Sequence, residues 1–227
     1  MTTATKQVPA TMKAVKPVNP VVNLYLIAYN WASFAGWSWV LVQTIRALLA
    51  TGNDYTKVYA AVGDQLVWVQ TAALLEVFHS LFGFVKSPVG TTTMQVASRL
   101  LLVWGICTMF PIPEVRQHWA FTTMTIAWSI TECIRYAYYA LNLTNMGPSW
   151  LTWCRYTFFY VLYIVGAGSE AIEIYQALPF ASNVNPAYYY VLAAILCIYP
   201  PGFFVMYTHM IGQRKRYLRS IKSKKSE

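Results

Sequence analysis

Two residues seven apart carry the first chemical signal in this sequence. Tyr163 and Glu170 are separated by about 700° of helical rotation, within about 20° of two full turns, and by about 10.5 Å along a helix axis. On a helix they therefore share one stripe. Gly166 and Ala167, one turn from either end, leave that stripe nearly bare between a phenol and a carboxylate. The arrangement suits general acid–base chemistry on a small group seated in the gap. It equally suits a small-residue notch for close helix packing, with Gly166 and Ser169 as its floor. Spacing alone leaves both open.

Other ionisable residues recur at helical spacing. Glu76 and His79 are three apart, Gln95 and Arg99 four apart, and Glu132 and Arg135 three apart, so each pair occupies one face. Within a membrane span each charge costs about 2.5–3.5 kcal/mol on insertion scales, which makes it a functional candidate. Glu132 and Arg135 also suit a structural ion pair, and Glu76 and Arg99 can pair between adjacent helices. His79 reads more simply as a hydrogen-bonded packing residue.

The elements that must position these groups follow from composition. The chain has 227 residues, of which 57% are hydrophobic and 11% charged, against about 25% charged in soluble domains. Too few charges remain to cover a water-facing surface. Apolar stretches of about 20 residues, separated by Gly, Pro and polar breaks, have the length a helix needs to cross about 30 Å of hydrocarbon. The expected fold is an all-α membrane protein, a bundle of six transmembrane helices with both termini cytosolic. The spans are expected at 21–49, 58–85, 95–110, 119–141, 150–175 and 188–211, with Pro200-Pro201-Gly202 kinking the last. Residues 1–20 read as a disordered basic tail, 21–211 as the transmembrane catalytic domain and 212–227 as a basic cytosolic tail.

The net charge of +9 comes largely from lysines and arginines in the two tails. That pattern marks orientation in a membrane rather than nucleic-acid binding. Lys86, Arg135 and Arg155 agree with cytosolic termini, and the expected loop 176–186 carries no charge. Four cysteines without a CxxC pair argue against a disulfide framework or a zinc site. Lys224 and Lys225, three and four positions from the end of the chain, resemble the dilysine retrieval signal of endoplasmic reticulum membrane proteins.

Four ordered segments resemble one family. They are Leu75-Glu76-Val77-Phe78-His79-Ser80, Gln95-Val96-Ala97-Ser98-Arg99, Trp128-Ser129-Ile130-Thr131-Glu132-Cys133-Ile134-Arg135-Tyr136, and Arg155-Tyr156-Thr157-Phe158-Phe159-Tyr160-Val161-Leu162-Tyr163 continuing through Gly166 to Glu170. Together they resemble the membrane-bound 3-hydroxyacyl-CoA dehydratases of very-long-chain fatty acid elongation, also called protein-tyrosine-phosphatase-like proteins. The resemblance implies a six-span lyase of the endoplasmic reticulum that removes water from a (3R)-3-hydroxyacyl-CoA to give the trans-2-enoyl-CoA, with no metal or organic cofactor. It places the catalytic pair at Tyr163 and Glu170, with Glu76, Gln95, Arg99, Arg135, Arg155 and Gly166 supporting the site or binding substrate. One departure is Ile164, where the family usually has proline.

The chemistry agrees with those residue types. Dehydration needs a base for the α-hydrogen and an acid for the leaving β-hydroxyl, here Glu170 and Tyr163. Developing enolate charge needs a cationic or hydrogen-bonding group, for which Arg99 and Arg135 are candidates. Arg155, Lys86 and the tail lysines suit attraction of anionic CoA. The implied partners are the substrate, membrane lipid, and a condensing enzyme, ketoacyl reductase and enoyl reductase of the same cycle. A transporter, or a catalytically silent scaffold of the reticulum membrane, is the competing reading; no internal repeat supports the first, and Ile164 is the sequence feature in favour of the second. A phosphatase is disfavoured because Arg155 directly follows Cys154, leaving no phosphate-binding loop.

Overall fold

A computed structural model describes residues 19–225 of the chain, and side chains through residue 219. The expected basic N-terminal tail lies outside the described residues except for its last two positions. The dilysine signal at Lys224-Lys225 runs into Ser226 and Glu227, which also lie outside them.

Among the described residues the chain is helical, with short connections. Helix α1 spans Pro20–Ala50, opened by Pro20 at its first position and by Asn19, whose side chain accepts from the Val21 amide at 3.0 Å. It stops where Gly52 and Asn53 take left-handed backbone angles, φ +67 and +69, as the Gly52-Asn53-Asp54 turn requires. Helices α2 (Val58–Ala72) and α3 (Leu74–Leu81) follow one another, and with the preceding turn they form one helical rod over Tyr55–Leu81.

Helix α4 covers Val89–Leu100 and passes directly into a π-helical stretch at Leu101–Thr108. This third rod therefore begins well before the expected residue 95. Thr91, Thr92 and Thr93 make its first turn too polar to stand out by hydropathy, yet Thr92 bonds back to the Pro88 carbonyl at 3.1 Å. A short α5 (Pro113–Arg116) precedes α6 (Trp119–Leu143). Then come α7 (Ser149–Arg155), α8 (Phe159–Val184) and α9 (Pro186–Lys225).

The uncharged loop expected over 176–186 is absent as a loop. Helix α8 continues through Pro179 to Val184, leaving Asn185 before α9. A proline costs one backbone bond, and in an apolar bundle neighbouring groups and small local adjustments make that tolerable. Helix α9 likewise runs without a break through Pro200 and Pro201, and past residue 211.

Three rods are long and apolar enough to cross a membrane: Tyr55–Leu81, Ser149–Val184 and Pro186–Arg219. Helices α1 and α6, of 31 and 25 residues, have the length but a more polar make-up. Helix α6 is the hub, packed on α1 along one side and on α8 along the other, and α9 packs on α8. Trp37, Trp128, Phe121, Met124 and Ile174 are among the buried side chains between these layers.

Candidate active site

Helices α6 and α8 run past each other in opposite directions, and polar contacts mark their register. His118 and Gln176 meet at 3.3 Å, the hydroxyls of Thr123 and Ser169 at 2.7 Å, and the Trp128 indole N–H donates to Glu170 Oε1 at 2.8 Å. Gly166 is buried on this seam. A Cβ added there would meet Ala127 and Trp128 at 3.8 Å, ordinary contact. Gly166 thus faces α6 beside Trp128, but an alanine would fit there as well, so the close approach of the two helices does not require glycine at this position.

The other side of Glu170 faces α9, where the Tyr199 hydroxyl donates to Oε2 at 2.8 Å. Each carboxylate oxygen thus accepts one hydrogen bond and keeps lone-pair capacity for a further proton. Tyr163, two turns away on the same stripe, stacks on Phe203 and Tyr207 with ring centroids 5.2 and 6.2 Å apart. Among the described residues its hydroxyl makes no hydrogen bond, which leaves the phenol to a ligand. A carboxylate fixed by two donors and an uncommitted phenol on one helix face are the components of an acid–base pair.

Behind Trp128 lies a chain of ion pairs. Arg99 packs over the Trp128 ring, 5.2 Å from its centroid, and pairs with Glu132. Glu132 is only 1% exposed and also accepts from Arg135 Nε at 2.5 Å. Arg135 then grips Glu76 with both terminal nitrogens at 2.8 Å, and Glu76 accepts from the Tyr136 hydroxyl at 2.5 Å. Two cations and two carboxylates balance, which is the condition for keeping such charges inside a bundle. The direct Glu76–Arg99 pair that spacing allowed does not form, because Arg135 on the intervening α6 takes Glu76.

The sequence-derived candidates thus divide. Glu170, Gly166 and Arg99 converge on Trp128; Arg135 and Glu76 stand behind them. Gln95 is exposed on α4, one turn before Arg99, and its side chain makes no hydrogen bond to this cluster among the described residues. Arg155 donates to the Tyr139 hydroxyl at 2.9 Å and lies over the Tyr138 and Tyr139 rings, on the rim where α7 meets α6. His79 bonds the Tyr25 hydroxyl at 2.8 Å, a packing role. Among the described residues no three His, Cys, Asp or Glu side chains are grouped to hold a metal ion.

Sequence reasoning missed Trp128 and Tyr199. Trp128 had a usable signal, since it lies four residues before Glu132 on the same helix face and a buried indole N–H needs an acceptor. Tyr199 had none, because 29 residues and a change of helix separate it from Glu170. Trp128→Phe and Tyr199→Phe each remove one donor while preserving a ring. Either change is expected to lower turnover about tenfold, the scale of one hydrogen bond to a charged group. Steady-state rates in membrane-inserted protein check this, and unchanged rates in both variants would mean that the carboxylate needs no such alignment.

The family described as "Protein tyrosine phosphatase-like protein, PTPLA" matches residues 70–220. The chain is 43% identical over 216 residues to the very-long-chain (3R)-3-hydroxyacyl-CoA dehydratase PASTICCINO 2 of Arabidopsis thaliana, covering 89% of this chain and 96% of that one. It is 43% identical over 192 residues to the probable very-long-chain (3R)-3-hydroxyacyl-CoA dehydratase of Schizosaccharomyces pombe, covering 85% and 91%. Against the human very-long-chain (3R)-3-hydroxyacyl-CoA dehydratase 2 it is 38% identical over 212 residues, covering 88% and 82%. No solved structure gives a significant match.

Proposed function

The chain belongs to the protein tyrosine phosphatase-like family, and on that premise we propose that it is a very-long-chain (3R)-3-hydroxyacyl-CoA dehydratase, a hydro-lyase of fatty acid elongation. The observation that carries the chemistry is the Glu170 carboxylate, fixed between Trp128 and Tyr199 on the stripe that also presents the Tyr163 phenol.

Glu170 takes the α-hydrogen from C2 of the acyl chain as a proton, and Tyr163 gives a proton to the departing 3-hydroxyl. The C2–H electron pair becomes the C2–C3 double bond, the C3–O bond breaks, and water leaves. Nothing is oxidised or reduced. Helical separation of about 10.5 Å between the two Cα atoms leaves room for both side chains to reach inward to adjacent carbons of one substrate. Trp128 and Tyr199 orient the base. Arg99 is the better placed of the two arginine candidates for developing negative charge, since Arg135 is committed to two carboxylates while Arg99 sits against the indole that touches Glu170.

In the membrane, the six rods 20–50, 55–81, 89–108, 119–143, 149–184 and 186–219 each supply one crossing, the last extending beyond its span into the basic end after residue 211, with both termini cytosolic. The charge bias supports this: lysines and arginines cluster at 6–16 and 214–225. The domain division is a basic tail over 1–20, the catalytic bundle over 21–211 and a basic end over 212–227. Residence in the endoplasmic reticulum rests on Lys224 and Lys225, and assembly with a condensing enzyme and two reductases follows from the pathway role.

Dehydration of a long-chain (3R)-3-hydroxyacyl-CoA by purified protein tests the activity; no enoyl product from folded enzyme at any chain length overturns it. The orientation has its own reporter, because Asn142-Leu143-Thr144 is the chain's sole glycosylation sequon. It is expected to stay bare on protein made in a eukaryotic secretory membrane. A glycosidase-sensitive mass shift that disappears in Asn142→Gln would place this C-terminal end of α6 in the lumen and reverse the topology.

A further inference from the structure

The cleft farthest along α8 and α9 from Glu170 is built from a different chemistry. It is open, has a volume of ≈ 470 Å³, and is lined by Tyr156, Gln213, Arg216 and Tyr217. Tyr156 and Tyr217 stack with centroids 4.7 Å apart and planes 20° from parallel, giving it an aromatic wall. Gln213 and Arg216 are exposed at its edge, with Arg214, Lys215 and Arg219 on the same stretch of α9. No acidic residue occurs between Glu132 and Glu170, or between Glu173 and Glu227, so nothing on α7, α8 or α9 near this end opposes the cations.

Between Arg214, two residues before Arg216 on α9, and Glu170 lies a row of aromatic contacts. Arg214 lies over the Tyr160 ring at 4.8 Å, Tyr207 packs on Tyr160 and stacks on Tyr163, and Phe203 stacks on Tyr163. Tyr199, next along α9, holds the Glu170 carboxylate. From Tyr199 to Arg216 the helix rises about 25 Å. A ligand that bridges these points has a phosphate-rich, planar head at one end and a reactive group at the end of a long narrow arm.

We propose that this cleft is the subsite for the nucleotide end of the acyl-CoA substrate, Arg216 taking a phosphate and the Tyr156–Tyr217 wall taking the adenine face, with the pantetheine arm laid along the Tyr160–Tyr207–Tyr163 row. The inference rests on the dehydratase reading for the identity of the ligand. Guanidinium–phosphate pairing and base stacking on tyrosine supply the affinity, and the surrounding cations draw the anionic head to this end of the bundle. An anionic lipid headgroup offers the same phosphate chemistry but has neither the planar base nor the arm.

The test separates these sources. Coenzyme A binding is measured by calorimetry on full-length protein in phosphatidylcholine nanodiscs, with and without phosphatidylserine. In parallel, KM and kcat are measured for a 3-hydroxyacyl-CoA and for the matching 3-hydroxyacyl-pantetheine. Arg216→Ala is expected to weaken coenzyme A binding and raise KM for the CoA thioester about tenfold. Its kcat, and its KM for the pantetheine thioester, should match wild type. Arg216→Lys should retain part of the affinity, and Tyr156→Leu should weaken binding through the lost ring. Unchanged coenzyme A affinity in both Arg216→Ala and Tyr156→Leu overturns the subsite. So does an equal rise in KM for both thioesters, or an effect confined to phosphatidylserine discs, which would assign the cleft to lipid. Arg216-dependent coenzyme A binding by a protein that dehydrates neither thioester would uphold the subsite and sink the dehydratase reading.

Discussion

Tyr163→Phe and Glu170→Gln are each expected to lower turnover about 10²–10⁴-fold, the usual contribution of a positioned acid or base. The first removes one oxygen from a ring that keeps its stacking on Phe203 and Tyr207. The second keeps the shape of a side chain held by Trp128 and Tyr199. Neither change opens a cavity or strands a charge, so the loss should appear in kcat while the protein still inserts and folds. The double variant should lose less than the product of the two, because groups acting in one transition state are not independent. Glu173→Gln is the control. It lies one turn further on, fully buried, with Phe121 of α6 and Cys107 of the π-helical stretch as neighbours. Normal turnover by both Tyr163→Phe and Glu170→Gln would end the assignment of this pair.

Glu132→Gln is expected to act on the fold. It removes one of two anions from a group that holds two arginines, leaving Arg99 and Arg135 to share Glu76, which already takes both terminal nitrogens of Arg135. Breaking a fully buried pair costs about 3–5 kcal/mol; Glu132 is buried but the side chains of Arg99 and Arg135 keep 26% and 25% exposure, so the loss is expected at the lower end of that range. The unfolding midpoint in detergent should fall sharply, and activity should fall with it through the loss of the Arg99 contact behind Trp128. Arg135→Lys should destabilise less: charge is kept, but the planar fork that grips Glu76 is lost. A Glu132→Gln protein as stable as wild type would show that water reaches these groups.

How far the sequence alone led depends on the range of the interaction. Helices were readable because hydrophobic runs and Gly or Pro breaks act locally. Gly52-Asn53-Asp54 ends α1 where expected, since its left-handed angles need residues of that type. Boundaries failed where local rules were overruled. Pro179 lies inside α8 because a packed helix tolerates a missing hydrogen bond that an isolated one would not, and the threonines of α4 hid a helical turn in which the Thr92 hydroxyl bonds to the Pro88 carbonyl.

The same division holds at the site. Tyr163, Gly166 and Glu170 were visible together because a helix converts a spacing of three or seven residues into a shared face, with no knowledge of what lies opposite. Glu132 and Arg135 pair as their spacing of three allows. What stands across from each face was decided by packing: that α6 brings Trp128 to one oxygen of Glu170 and α9 brings Tyr199 to the other, that Arg135 intercepts Glu76 and leaves Arg99 to Glu132, and that Tyr156 meets Tyr217 at the end of α9. Those partners are 29 to 61 positions apart in the chain. Periodicity within a helix carries no information about the register between helices, which is set by how the side chains of several helices fill the space between them.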